Sequence, residues 1–342
     1  MNGMEKVNKQ PLEWLLEEDP LNPGVRYLAL KDLEDRAVND PLVISAHQAA
    51  LTSGQIPAIL AQQDAQGFWV EPGPGYLPKY RSIVWQVIFL AQLGADVREE
   101  RVYKACDYLL SHAIGKFEGF SMTATPSGAI NCLQGNLGAA LLTLGMGADE
   151  RLRHALEWMA CSVTGEPYQD SDGRSAPIHY YRSGISGPGF LCSANDHQPC
   201  AWGAVKVGLA LAKVPADQRT PAMRKAVQMC VDFLLSTDPA GADYPHPYAP
   251  KTSTSWFKFG FPVFYITDVL QILEALLGLG LAGDERLLAA IKLLESKQDT
   301  HGRWIMEYTY NGKTWVDIEE KKQPSKWVTL RALRVLKQYY RL

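Results

Sequence analysis

The sequence predicts an all-α fold, an α/α toroid in which about six helical hairpins form an inner ring and an outer ring. Strongly apolar helical segments alternate with amphipathic ones along most of the 342 residues. Each connection from an apolar to an amphipathic segment is short, and each return connection is long. The short connections carry aspartates at comparable positions, Asp96, Asp149, Asp217 and Asp284.

The type of segment predicts the ring to which a helix belongs: apolar segments form the inner ring and amphipathic segments the outer ring. Segment 82–93 is apolar nearly all round, which predicts a buried inner helix. Asp96 can cap the amphipathic helix that follows. The predicted helices, in chain order, are 25–36, 42–63, 82–93, 99–112, 130–144, 150–159, 199–212, 221–235, 261–279, 285–297 and 326–340. We expect residues 1–24 to form an N-terminal extension and residues 25–342 to form one toroid domain.

The long connections are expected to share one face, because alternating helices run in opposite directions. The N-termini of the inner helices lie on that face, with their unpaired N–H groups and partial positive charge. These connections contain Trp, Tyr, Phe and His, which favours a functional role over disorder. We therefore expect the functional cavity on the long-connection face. The long connections are 67–81, 114–129, 163–198, 237–260 and 299–325.

Composition narrows the class of protein. The apolar fraction of 46% and charged fraction of 21% are typical of a globular protein with a sizeable core. A net charge of -3 gives no reason to expect nucleic acid or an anionic membrane as partner. No segment has the roughly 18 apolar residues that a bilayer span needs. The N-terminus lacks the apolar run of a signal peptide, so we expect a cytoplasmic protein whose six cysteines are reduced.

Two segments carry the same motif at the end of an outer helix. Gln63-x-x-x-Gly67-x-Trp69 and Gln298-x-x-x-Gly302-x-Trp304 resemble the Gln-x-x-x-Gly-x-Trp (QW) repeat of the squalene cyclase and protein prenyltransferase superfamily. The resemblance implies a terpene-cyclase-like or prenyltransferase-like toroid. It also implies a structural role for the motif, in which glutamine bonds free backbone groups at a helix end and tryptophan stacks nearby.

Further motifs resemble a group of single-domain bacterial and archaeal proteins, a resemblance that implies no activity. These motifs are Cys132–Asn136, Cys200–Gly203, Phe261–Tyr265 and Pro324–Arg331. The chain departs from the Asp-x-Asp-Asp motif of protonation-initiated terpene cyclases. Its nearest stretch, Asp170-Ser171-Asp172-Gly173, lacks the third aspartate.

Cysteine and histidine near two inner-helix starts form a candidate zinc site. Its ligands would be Cys132, Cys192, His197 and Cys200. Zinc takes four such ligands when structural and three plus water when catalytic. Helix N-termini would lower the cysteine pKa and favour the metal-binding thiolate. The alternative is that the cysteines are buried packing residues. Zinc is the only candidate cofactor, and we expect no nucleotide cofactor.

Three residues are candidates for proton transfer. Asp268 lies in an otherwise apolar segment, where a carboxylate facing a dry cavity would have a raised pKa and act as a general acid or base. The alternative is that it bonds a nearby backbone group or a tyrosine hydroxyl. His179 and Tyr181 lie in the 163–198 connection and are candidates for proton transfer or substrate orientation. The alternative for them is a solvated lid.

Aromatic residues cluster at the starts of inner helices and could line an apolar pocket. Gln134 and Asn136 could add neutral hydrogen bonds, and Lys326 could bind an anionic group. The candidate substrate-binding residues are Trp85, Gln134, Asn136, Trp202, Phe261, Phe264, Tyr265, Lys326 and Trp327.

These observations favour an enzyme, a lyase, transferase or hydrolase, that acts on a largely apolar isoprenoid or aromatic molecule in the central cavity with possible assistance from zinc. Two alternatives stay open. One is a carbohydrate-processing toroid, which needs two carboxylates at the cavity mouth, Asp170 or Asp172 with Asp268. The other is a non-catalytic toroid that binds a lipid or peptide. The oligomeric state is not predicted.

Overall fold

Helices dominate the computed structural model, which describes residues 9–170, 173, 175–176, 185–247 and 250–341. The helices are α1 (Lys9–Leu16), α2 (Pro23–Asp32), α3 (Pro41–Thr52), α4 (Gln55–Leu60), α5 (Ile83–Leu93), α6 (Glu100–His112), α7 (Asn131–Leu144), α8 (Glu150–Thr164), α9 (Ala201–Ala212), α10 (Pro221–Leu234), α11 (Val269–Gly278), α12 (Leu288–Ser296) and α13 (Lys326–Tyr340). Among these described residues, no helix has the length and apolar character needed to cross a bilayer.

Short strands occur in the connection from α8 to α9. They are β1 (Tyr168–Gln169), β2 (Ser175–Ala176), β3 (Ser186–Gly187), β4 (Leu191–Cys192) and β5 (Gln198–Pro199). β1 pairs with β2, and β4 lies between β3 and β5; all these pairs are antiparallel. The sheets are minor parts of the fold.

The helices form two rings, as predicted, and the fold is an α/α toroid. The inner ring is α2, α5, α7, α9, α11 and α13, and neighbours contact each other from α5 through α13 and on to α2. The helices α3, α6, α8, α10 and α12 each pack on the outside of the inner helix that precedes them. Helix α1 packs against α2 and α13. The connections from inner to outer helices are short and the returns are long, which confirms the predicted alternation.

Contacts between α13 and α2 close the ring. The indole Nε1 of Trp327 donates to Asn22 Oδ1 at 2.8 Å. Arg334 forms an ion pair with Asp32. The Lys337 ammonium donates to the carbonyl oxygen of Asp32 at 3.1 Å, which neutralises part of the negative end of α2. The first and last inner helices are therefore joined through side chains.

The closest approach in the inner ring is between α7 and α9. A Cβ atom added at Gly135 would lie 2.2 Å from the carbonyl carbon of Lys206, so this crossing accepts only glycine. Gly138 faces Ala210 one turn farther along the same contact. The close approach fixes the height of Lys206 within the ring.

Three of the short connections share an Asp-x-Arg turn. In each, the carboxylate accepts from the backbone N–H of the arginine at 2.9 Å and from its Nε at 3.0 Å. Asp149 is the N-cap of α8, and Asp284 caps the short 3-10 turn that leads into α12. Asp96 caps only the turn before α6, whose N-cap is Glu99, so the prediction that Asp96 caps that helix is wrong. The pairs are Asp96–Arg98, Asp149–Arg151 and Asp284–Arg286. In the fourth short connection, Arg219 Nε instead donates to the carbonyl oxygen of Val214.

The two QW segments form equivalent turns. Trp69 Nε1 donates to the carbonyl oxygen of Ile59 at 3.0 Å, and Trp304 Nε1 donates to that of Leu294 at 2.8 Å. Gln63 Nε2 donates to the carbonyl oxygen of Arg101 at 2.9 Å. Both tryptophans are buried. The indole contacts are equivalent in the two turns, and the glutamine contact is that of Gln63.

Helix boundaries depart from the sequence prediction at several places, and three of these departures have a clear local cause. Helix α11 begins at Val269 rather than at 261, because the Asp268 carboxylate caps it by accepting from Gln271 N at 2.7 Å. Helix α9 begins after Pro199, which pairs with Leu191 in a sheet. The predicted helix 42–63 is divided between α3 and α4 at Gly54, whose φ of 69° cannot continue a helix.

Candidate functional site

The inner ring encloses a cavity of about 480 Å³, which all six inner helices line. Its floor includes the buried Asn136 and Gln271, and its rim includes the exposed Thr143, Lys213 and Gln338. These rim residues lie at the C-terminal ends of inner helices. The cavity therefore opens on the short-connection face, opposite to the face where we expected it.

Aromatic side chains fill the other end of the ring. Trp85 and Phe264 are fully buried, and their rings meet edge to face at 5.5 Å. Tyr265 lies 5.3 Å from the Trp85 ring. Tyr80 contacts both Trp85 and Phe264. The predicted pocket residues at this end pack on one another, and Trp85, Phe264 and Tyr265 lie outside the lining of the cavity.

Three of the predicted substrate-binding residues do line the cavity. Phe261 and Trp327 stack in parallel, with ring centroids 4.3 Å apart and planes at 5°. Asn136 lies on α7 and reaches the cavity from the opposite wall, with its Nδ2 bonded to the carbonyl oxygen of Phe264 at 3.2 Å. The structure thus provides two apolar rings and one amide from the predicted set.

The remaining predicted residues of this class lie elsewhere. Gln134 is buried and Trp202 is half-buried, and neither lines the cavity. The Lys326 ammonium lies 3.3 Å from the Asp19 carboxylate and 5.5 Å from the Trp14 ring. A carboxylate of the chain itself therefore occupies the position that we expected an anionic ligand to take.

Asp268 belongs to a buried ion-pair network, which we call the Arg331 clamp. The Arg331 guanidinium spans two carboxylates, at 3.1 Å from both oxygens of Asp268 and at 2.8 and 3.1 Å from those of Glu274. It also donates to the carbonyl oxygen of Gly260 at 2.8 Å. Asp268 caps α11 through a backbone N–H, a contact of the kind that the alternative interpretation described, and its ion pair with Arg331 was not expected. Glu274 is the clamp carboxylate that lines the cavity.

Lys206 is the main polar residue that the sequence analysis missed. It is fully buried in the apolar helix α9, and its ammonium donates to Gln271 Oε1. Burial lowers the pKa of Lys206 to about 7, although Cys132 and Asp268 act in the opposite direction. A single lysine in the apolar stretch Ala201–Ala212 was the available signal, because burying a lysine is costly without a function or a partner.

The three cysteines near the inner-helix starts are in contact. The Cys200 thiol lies close enough to those of Cys132 and Cys192 for each of them to affect its pKa. The contact with Cys132 and burial raise the pKa of Cys200 to about 12, and the contact with Cys200 and burial raise the pKa of Cys192. The expected lowering of the cysteine pKa is therefore wrong at these two positions, because thiol contact and burial outweigh the helix N-terminus. His197 is exposed.

Zinc binding by Cys132, Cys192, His197 and Cys200 stays a prediction. Within the described ranges, no group of three or more Cys, His, Asp and Glu side chains is arranged to hold a metal ion. Protonated thiols are also poor ligands. The prediction is checked by elemental analysis of purified protein: it expects one zinc per chain, lost in Cys200→Ser. Equal metal content in the two proteins would contradict it. His179 and Tyr181 lie outside the described residues.

No protein-family model matches the chain, and no curated protein sequence matches it. Among solved structures, the chain is similar to an unsaturated glucuronyl hydrolase specific for heparin, at 12% identity over 97% of this chain and 86% of that chain, with a TM-score of 0.48. It is also similar to type II terpene cyclase MstE from Scytonema, at 13% identity over 86% of this chain and 97% of that chain, with a TM-score of 0.32. These similarities concern the helical fold and not the activity.

Proposed function

We propose that the protein is an enzyme that acts on a small, largely apolar molecule bound in the central cavity. The observation that carries this proposal is the cavity itself, whose 480 Å³ lie in the range of about 300–1,000 Å³ that small-molecule sites occupy. Its walls combine aliphatic and aromatic side chains with several charged ones, and two amide side chains, those of Asn136 and Gln271, lie at its floor. The aliphatic wall residues include Leu28, Ile88, Leu209, Leu330 and Val335.

The polar groups give the site its chemical capacity. Glu274 places a carboxylate, paired with Arg331, on the wall of the cavity, where Asp32 and the cations Lys31, Lys213 and Arg334 are the other charged lining residues. A carboxylate held in place in this way can stabilise positive charge that develops next to it on a bound substrate. Lys206 lies behind Gln271 and acts as a positioning residue, because it bonds Gln271 without lining the cavity. This arrangement supports acid–base or cationic chemistry more than simple storage of a ligand.

Filling the cavity is expected to abolish ligand binding. Ala139 lines the cavity and is half-buried, so Ala139→Phe places a ring in the lumen. We expect terpene alcohols of 10–15 carbons to bind the unmodified protein and to lose at least about 100-fold in affinity in this variant. Titration calorimetry measures the affinity, and mass spectrometry of the incubated ligand detects turnover.

Ala289→Phe, at an exposed position on the outer helix α12, is the matched control and is expected to bind as the unmodified protein does. Ligands that bind Ala139→Phe with unchanged affinity would place the site outside the cavity. Ligand recovered unchanged after saturation would favour the non-catalytic binding alternative.

Carbohydrate processing is the second candidate function, because two carboxylates line the same cavity, Asp32 and Glu274. Glycoside hydrolysis uses such a pair. This pair replaces the predicted one, since Asp170 and Asp268 do not line the cavity and Asp172 lies outside the described residues. Binding and cleavage of an acidic disaccharide, with no binding of the terpene alcohols, would select this candidate.

A further inference from the structure

We infer that the floor of the cavity binds a hydroxyl group of an otherwise apolar ligand, with Gln271 as donor to the hydroxyl oxygen and Asn136 as acceptor of its hydrogen. The inference rests on the proposed function, because it needs a small molecule in the cavity. It names the chemical class of that molecule as an apolar alcohol.

The acceptor is the Asn136 side-chain oxygen. Asn136 Nδ2 donates to the carbonyl oxygen of Phe264 at 3.2 Å. A carbonyl oxygen can only accept, so this contact determines which end of the amide is the nitrogen. Asn136 lines the cavity, and its Oδ1 accepts no hydrogen bond from the described part of the chain. The floor therefore offers one oriented acceptor on α7.

The donor is the Gln271 side-chain nitrogen. Its Oε1 accepts from the Lys206 ammonium, and its backbone N–H donates to Asp268 Oδ1 at 2.7 Å. The Nε2 group has no acceptor within the described ranges, and Gln271 lines the cavity. Lys206 thus holds the amide with its NH₂ group as the free end. The floor offers one oriented donor on α11.

Gln92 also lines the cavity, and both ends of its side-chain amide are hydrogen-bonded within the protein. Its Nε2 donates to the carbonyl oxygen of Val263 at 2.9 Å, and its Oε1 accepts from the Val263 N–H at 2.8 Å. Both ends of this amide are satisfied by one backbone residue. Asn136 and Gln271 each have only one end of the amide hydrogen-bonded within the described residues. The Asn136 oxygen and the Gln271 NH₂ group are therefore available to a ligand as acceptor and donor.

A hydroxyl group matches this pair, because a single oxygen both accepts and donates. The stacked rings of Phe261 and Trp327 and the side chain of Leu330 line the same cavity and suit an apolar body. A carboxylate can accept from Gln271 but has no hydrogen to donate, so it would leave the Asn136 oxygen unpaired. An ether retains the acceptor but lacks the hydrogen, so it satisfies only Gln271.

The test uses geraniol, geranyl methyl ether and the parent hydrocarbon 2,6-dimethylocta-2,6-diene, with affinities measured by titration calorimetry. We expect the affinity to fall about tenfold from alcohol to ether and again from ether to hydrocarbon, since each step leaves one more buried polar group unpaired. Asn136→Leu is expected to remove the preference for alcohol over ether. Gln271→Glu keeps an acceptor for Lys206 and is expected to remove the preference for ether over hydrocarbon.

Gln228→Leu, which removes an exposed amide from the outer helix α10, is the control and is expected to keep all three affinities. Equal affinities of the three compounds, all abolished by Ala139→Phe, would overturn the inference and leave the proposed function standing. Failure of all three to bind the unmodified protein would overturn both. Either variant retaining the full order of affinities would also overturn the inference.

Discussion

Replacing Arg331 by methionine is expected to lower the free energy of unfolding by about 3–5 kcal/mol. Arg331 is buried and is the shared counter-ion of Asp268 and Glu274 in the clamp. Methionine fills similar space but leaves two neighbouring carboxylates without a cation, and the Gly260 carbonyl oxygen without its donor. Urea denaturation followed by circular dichroism measures the change as a lower midpoint.

Two further variants separate loss of charge pairing from loss of packing. Adding Asp268→Asn and Glu274→Gln to Arg331→Met removes the uncompensated charges, so we expect partial recovery of the urea midpoint. Arg286→Met removes an exposed pair with Asp284 and is expected to change stability little. A loss below about 1 kcal/mol in Arg331→Met would contradict the clamp as a buried network.

Lys206 is expected to make stability rise with pH between about pH 7 and pH 10.5. The ordinary pKa of a lysine is 10.5, and burial lowers that of Lys206 to about 7. In this window the folded protein has released a proton that the unfolded chain still holds, so raising the pH favours the folded state. The slope approaches about 1.4 kcal/mol per pH unit, and below pH 7 this contribution to the slope disappears.

The measurement is the difference in unfolding free energy between the unmodified protein and Lys206→Met, taken at several pH values from 6 to 9. Taking the difference removes the titration of thiols and tyrosines, which both proteins share. We expect the unfolding free energy of Lys206→Met minus that of the unmodified protein to be larger below pH 7 than at pH 9. A difference that stays constant over the whole range would show that Lys206 keeps an ordinary pKa.

The fold could be predicted because its signals are local and repeated. The apolar segment 82–93 and the aspartate turns mark inner helices and short connections, and both are found at the expected places. The start of α11 was misplaced because Asp268 was interpreted as part of an apolar helix rather than as its cap. An aspartate in such a position can be the N-cap of a helix or a residue inside it, and sequence spacing alone does not decide between these two positions.

The location of the cavity could not be predicted in the same way. Aromatic residues at the inner-helix starts are compatible with a lined pocket and with a packed core, and the choice depends on whether Trp85, Phe264 and Tyr80 meet in space. The polar floor, Asn136 and Gln271, and the Lys206 that bonds Gln271 come from three helices far apart in the chain. No local motif connects them, although the lone lysine in α9 was a visible signal.

The Asp-x-Arg turns have a consequence for the kinetics of ligand exchange. They tie three of the connections on the face where the cavity opens, through contacts between Arg98, Arg151 or Arg286 and the aspartate two residues before it. An entrance framed by such tethered turns needs no hinge to admit a molecule. The association of a ligand should then be limited by diffusion and desolvation and should follow a single exponential phase. The residence time of the bound ligand should depend on its contacts inside the ring rather than on the opening of a gate.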